Sequence, residues 1–155
     1  MSEKDDKSNK GNADGSDKEN TSHGSNNNEF KGKLIVGLTE YVVIKGSQKN
    51  KEVIARMDSG ATKSSIDISM ASELNLGPVV DSRLIKSAHG SKLRPVVEVE
   101  ILIKNRHIKA RFTVADRNHM HYPVLIGQNV LRNGFLIDPS RRVDTPVRIK
   151  SEGQK

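Results

Sequence analysis

From Leu34 onward the apolar residues come in short runs of mostly period two, each ending at a turn former. That period belongs to strands with one face turned toward a core. Residues 34–38 and 40–45 read as one strand that enters, bends at Gly37 and continues. Residues 46–51 form a polar turn, and residues 52–58 a second strand that ends on a carboxylate. Residues 64–67 are extended again. Residues 69–75 hold helix formers behind a capping Asp67 or Ser69, with Gly77-Pro78 as the stop. A strand over 83–87, a turn at His89-Gly90-Ser91 and a long strand over 94–104 follow. In the long strand Val97, Val99, Ile101 and Ile103 share one face, and Glu98, Glu100 and Lys104 the other. Asn105-Arg106 turns the chain into a strand over 108–114. An apolar run over 124–127, a short helix over 128–134 and a strand over 135–138 close the pattern. Eight to ten strands with two short helices predict an all-β, closed barrel.

The first thirty residues break this pattern, because Met1, Ala13 and Phe30 are their only apolar side chains. Such a segment buries too little apolar surface to offset the entropy of ordering it. It is expected to be a disordered acidic tail, residues 1–30, ahead of one folded domain over 31–145 and a flexible C-terminal arm over 146–155; the trailing character begins near Arg141. No apolar leader follows the start and no stretch reaches membrane-spanning length, so the expectation is a cytoplasmic protein without a membrane partner. The chain has no Cys, which excludes disulfides and thiolate-bound zinc.

Charge divides unevenly between these parts. The tail holds four Lys against seven Asp and Glu, a net of −3; the remaining 22 Lys and Arg against 12 acids give +10. A core this basic favours an acidic partner or substrate.

Two segments carry candidate chemistry. An apolar strand leads into Asp58-Ser59-Gly60-Ala61, and the run Pro123-Val124-Leu125-Ile126-Gly127, whose Gly127 lies 69 positions after Asp58, opens a short helix. The pair resembles the retropepsin-like aspartic peptidases, in which such a strand enters the catalytic Asp loop and a later Leu-Ile-Gly packs beneath it. The resemblance spans residues 34–140. Arg94-Pro-Val-Val-Glu98, Phe112-Thr-Val-Ala-Asp-Arg117 and Tyr122 to Gly127 are similar to the subfamily labelled ATP-dependent zinc protease, associated with RimK-type glutamate ligases.

The resemblance implies an endopeptidase in which two carboxylates share a proton, one acting as base toward water and the other as acid toward the carbonyl. One chain offers one such loop, so the second Asp58 must come from a homodimer. Asp58, Ser59 and Gly60 are then the catalytic set, with Ser59 bonding to the partner's backbone and Gly60 leaving its amide free for the carboxylate. Ile126 and Gly127 support the loop from below. Ala61, Lys63, His89, Gly90, Ser91 and Arg94 are expected to meet substrate, with His89-Gly90-Ser91 as the tip of a flap. Lys92 and Arg117 lie near the same region in sequence.

Viral relatives pair an Arg after the second Gly with an acid in the Asp loop. Here those places hold Gln128 and Lys63, so the loop needs another brace and Lys63 is free to face an acidic substrate. The substrate is expected to be a peptide, with glutamate-rich sequences as one candidate class.

No cofactor is expected. His119 and His121 provide two imidazoles where zinc needs three or four ligands, and no phosphate-binding glycine loop exists for ATP. The alternative reading is a non-catalytic module of the same fold that binds an acidic protein or peptide. Nucleic acid fits poorly, because five aromatic residues without Trp leave little to stack bases on.

Overall fold

The computed structural model describes residues 30–143. The acidic tail, apart from Phe30, and the arm over 146–155 lie outside the described residues. Nine strands and two short helices follow in order: β1 (Leu34–Val36), β2 (Thr39–Lys45), β3 (Asn50–Met57), β4 (Ser64–Asp67), α1 (Ile68–Glu73), β5 (Val79–Ser87), β6 (Gly90–Ile103), β7 (Arg106–Ala115), β8 (Val124–Ile126), α2 (Gln128–Leu131) and β9 (Phe135–Ile137). The main sheet runs β2-β3-β8-β4-β7-β6-β5, and β2 also pairs with β6. Six strands therefore close on themselves as a barrel, with β5 hanging from β6 as the outer half of a hairpin. The fold is all-β and closed, as the hydrophobic pattern predicts.

The barrel fills with the residues that alternation places inward. Val97, Val99, Ile101 and Ile103 of β6 are at most 2% exposed, and Phe112, Ile66, Val124 and Ile126 are fully buried beside them. Each such side chain contributes on the order of 1.5–3 kcal/mol by leaving water. No helix among the described residues is long and apolar enough to cross a membrane.

Local differences from the sequence reading have simple causes. The segment bending at Gly37 is two strands in two sheets: β2 joins the barrel, while β1 runs parallel to β9 (Leu34↔Phe135, Ile35↔Leu136, Val36↔Ile137). A Cβ on Gly37 would lie 2.5 Å from the Arg141 carbonyl oxygen, so the crossing needs glycine. Lys104-Asn105, not Asn105-Arg106, makes the β6–β7 turn, with both residues at positive φ (48° and 67°) as a two-residue hairpin turn requires. Helix α1 ends before Gly77-Pro78. Asn75 takes a left-handed conformation (φ 50°), its amide donates to Ser72 O and the Leu76 amide donates to Ala71 O, which satisfies the last carbonyls. Residues 141–143 do not trail. Leu38 N donates to Arg141 O (2.8 Å), and Thr39 Oγ1 both donates to Val143 O (3.0 Å) and accepts from Val143 N (2.8 Å).

Candidate active site

Strand β3 delivers Asp58 just past its last residue, Met57, and the sheet continues to hold it there. Arg56 and Met57 pair in parallel with Leu125 and Ile126 of β8, and Asp58 N then donates to Ile126 O at 2.8 Å. The chain turns at once: Ala61 N donates to Asp58 O (3.3 Å) and Gly60 N donates to the carboxylate Oδ1 (2.9 Å). A Cβ on Gly60 would stand 3.2 Å from that same oxygen, so glycine keeps the approach to the carboxylate open. Asp58 is half-buried, with Ser59 and Gly60 exposed beside it.

Gly127 lies directly beneath this loop. A Cβ there would stand 2.4 Å from the Lys63 carbonyl oxygen and 2.8 Å from that of Ala61, distances that side-chain atoms do not tolerate. The β8–α2 junction can therefore press onto the loop only without a side chain. That approach lets Gln128 N donate to Ala61 O (2.8 Å) and Asn129 N to Thr62 O (3.3 Å).

The brace that Lys63 and Gln128 leave unfilled as an ion pair is supplied by neutral groups. Gln128 Nε2 donates to Ser59 O at 2.7 Å. Ser64, fully buried, accepts from Gly127 N (3.0 Å) and donates to Asn129 Oδ1 (2.7 Å), whose amide in turn donates to Arg111 O (2.9 Å). The sequence reading passed over Ser64 and Asn129. The available signal was a polar residue on the inward face of β4, where Ile66 two positions on is core.

The remaining sequence-predicted residues divide by place. Ala61 is half-buried and Lys63 exposed, both on the Asp58 loop. His89, Gly90 and Ser91 sit at the exposed end of the β5–β6 hairpin, whose tip is Ala88-His89 between the paired Ser87 and Gly90. Arg94 is half-buried on the same arm, paired with Arg83. The exposed His119 and His121 lie in the loop before β8, and His121 packs at a tilt against Tyr122. Among the described residues, no group of three or more His, Asp or Glu could hold a metal.

One buried polar cluster was not expected. Asp67 caps α1, accepting from Ser69 N (3.1 Å) and Ser69 Oγ (2.7 Å), and takes the Arg117 amide at Oδ1 (2.8 Å). Burial pushes its carboxyl up, but the hydrogen bonds from Ser69, Arg117 and Met70 outweigh this and hold it below its ordinary value of 3.8. The Arg117 side chain donates from Nε to Tyr122 O (3.1 Å) and from Nη1 to Ser65 Oγ (3.0 Å).

An open depression of about 500 Å³ adjoins the Asp58 loop. Asp58, Ser59 and Arg56 line one side, and Leu131, Phe135, Leu136 and Ile137 the other. Strand β9 is thus brought beside the candidate catalytic loop by the parallel pairing with β1.

The family model described as RimB-like, retropepsin-like aspartic endopeptidase, matches residues 71–148. The matched span begins after Asp58, so the loop chemistry rests on the geometry above. No curated protein matches the chain. Similar solved structures include a Legionella pneumophila protein of unknown function, 18% identical, covering 73% of this chain and 98% of that one at a TM-score of 0.49. EIAV protease in complex with an inhibitor is 25% identical over 61% of this chain and 84% of its own, TM-score 0.49. Simian foamy virus protease is 21% identical over 61% and 91%, TM-score 0.48.

Proposed function

The chain belongs to the RimB-like family of retropepsin-like aspartic endopeptidases, and from that premise we propose that it hydrolyses peptide bonds between the Asp58 carboxylates of two identical subunits. The observation that carries this reading is the Asp58 turn. A half-buried carboxylate is held by its own loop amide at 2.9 Å, and the loop is clamped from below by β8 and α2 through backbone bonds only a glycine at 127 permits.

Water between two such carboxylates loses a proton to the ionised one, while the protonated one gives its proton to the scissile carbonyl oxygen. One proton shared by the pair suffices, because two adjacent carboxylates do not both ionise readily. Ser59, exposed at the edge of the loop, reaches the partner's backbone and fixes the spacing of the pair. The β5–β6 hairpin, with His89 at its tip, closes over substrate and excludes water. Its arm from Ser82 to Val97 carries Arg83, Lys86, Lys92 and Arg94 and no acid, which suits acidic, glutamate-rich peptides of the kind RimK-type ligases produce, in the cytoplasm.

The test is hydrolysis of poly-α-glutamate and of a mixed peptide library by wild type and Asp58→Asn from pH 4 to 8. Expected is cleavage by wild type that survives a metal chelator and falls by at least about a thousandfold in Asp58→Asn. Cleavage that persists in Asp58→Asn removes the mechanism. Absence of cleavage by a dimeric wild type favours the binding-module reading.

A further inference from the structure

Beyond the catalytic pair, the barrel carries a second polar position on the same face as Asp58. One continuous row of paired residues crosses the sheet: Arg56 of β3, Leu125 of β8, Ser65 of β4, Thr113 of β7, Val96 of β6 and Asp81 of β5. The neighbouring row, Met57, Ile126, Phe112 and Val97, is the core. Side chains alternate between faces, so the Arg56 row looks outward. Asp58 follows Arg56 by two residues and therefore lies on that outward side. Strands about 4.8 Å apart and a rise of about 3.3 Å per residue place Ser65 roughly 12 Å from Asp58. An extended substrate covers that span with two residues and one long side chain.

Ser65 is where the Arg117 guanidinium arrives, donating from Nη1 at 3.0 Å. Arg117 is only 9% exposed. Its Nε is satisfied by Tyr122 O, while among the described residues no hydrogen bond engages Nη2, which is therefore open to solvent, and no carboxylate lies in salt-bridge contact. The nearest acid, Asp67, has both oxygens occupied by Ser69 and by the Arg117 backbone amide. Burial disfavours the charge on Arg117 most, Asp67 offsets part of this, and Arg94, which faces Arg83 across the β5–β6 ladder, adds to it. Like charges opposite one another destabilise a hairpin, and a nearly buried guanidinium without a direct ion pair is costly. Asp81, at the end of the row, points its charge to Arg111 (3.7 Å). Arg94 and Arg117 thus lie near each other, with Asp67 as the acid that acts on Arg117.

We infer that Arg117, with Arg94 beside it, is a specificity-determining residue that receives a carboxylate side chain of the substrate, about two residues from the scissile bond. The inference rests on the peptidase reading for its meaning, but the binding it describes does not require hydrolysis. A planar guanidinium with a free Nη2 offers a carboxylate a charge-assisted bond, and Ser65 Oγ holds the fork in place from the other side.

The experiment uses full-length Asp58→Asn as a binding protein and a series of peptides in which one position at a time carries Glu or Gln. Expected is one position at which Glu binds at least about tenfold tighter than Gln, as a charge-assisted hydrogen bond implies. That ratio falls to about one in Asp58→Asn/Arg117→Gln and is partly kept in Asp58→Asn/Arg117→Lys. Should Arg117→Gln fail to fold, Arg94→Gln decides, with an expected severalfold loss of the same ratio. An equal affinity for Glu and Gln at every position, or a ratio that neither arginine variant moves, overturns the assignment. Loss of hydrolysis in wild type with the Glu preference intact would instead overturn only the peptidase reading.

Discussion

At the scale of single residues, the site depends on atoms that are missing as much as on those present. Gly127 has no side chain where one would meet two backbone oxygens at 2.4 and 2.8 Å. Backbone cannot retreat from such a contact as a flexible side chain can. Gly127→Ala is therefore expected to destabilise the protein by about 3 kcal/mol or more, at the upper end for a single substitution. It should also abolish peptide cleavage while the fold survives at low temperature. Chemical unfolding monitored with the activity assay checks both, and a variant of wild-type stability would refute the clash. Ser64 shows the reverse case, a small hydroxyl that joins Gly127 N and Asn129 in one buried network. The Asp-Ser-Gly-Ala and Leu-Ile-Gly segments were legible from sequence because both segments are local. Ser64 was not, since its partners lie 63 and 65 positions away.

At the scale of elements, α1 is too short to stand on intrinsic propensity, and its six residues rely on their ends. Asp67 supplies the N-terminal cap and also receives the Arg117 amide, so it ties β4, α1 and the segment after β7 together. Asp67→Asn is expected to cost about 1–3 kcal/mol near pH 7, a cap plus a buried charge-assisted bond. The folded carboxyl titrates below 3.8, its ordinary value. Its stabilisation is therefore fully present above that value and is lost as the pH falls through the lower, folded one. The stability difference between wild type and Asp67→Asn should accordingly shrink in acid below pH 3.8. Urea titrations at pH 7 and pH 3 measure it, and a difference that grew in acid would contradict the assignment. The same element illustrates how sequence rules divide. Asp67 is a recognisable cap, yet the helix ends at Glu73 with Leu74 as its C-cap, ahead of Gly77-Pro78, because the left-handed turn at Asn75 satisfies the carbonyls first.

At the scale of the whole molecule, the pair β1–β9 is a separate two-stranded sheet that joins the barrel's core through Val36 and Phe135. A two-stranded ribbon alone is marginal in water, and this one has further strand edges to offer. Arg106 bolts it down, donating to the Asn133, Gly134 and Gly32 carbonyls with its guanidinium 5.5 Å from the Phe135 ring centre. Leu136 lies in this ribbon and lines the depression beside Asp58. If a second copy completes the site across this surface, Leu136→Asp places a charge in the contact. The expected result is a folded monomer with cleavage reduced by at least about a hundredfold, since a buried unpaired charge costs several kcal/mol of association. Sedimentation of both proteins checks it. A wild type that stays monomeric at high concentration, or a variant that dimerises normally, removes the dimer.

The sequence by itself determined what depends on neighbours along the chain. Strand periodicity sorted Val97, Val99, Ile101 and Ile103 to one side, and the motif marked Asp58 as a turn carboxylate. Those features follow from alternation and from the stereochemistry of a few adjacent residues. Tertiary structure alone decided the parallel β1–β9 ribbon, the Gln128 and Ser64 brace under the loop, and the convergence of Arg117 on Ser65. These join residues 52 to 101 positions apart, from Ser65 and Arg117 at the near end to Val36 and Ile137 at the far one. No local period encodes such pairs. They form because closing the barrel leaves each buried polar group one place to find its partner.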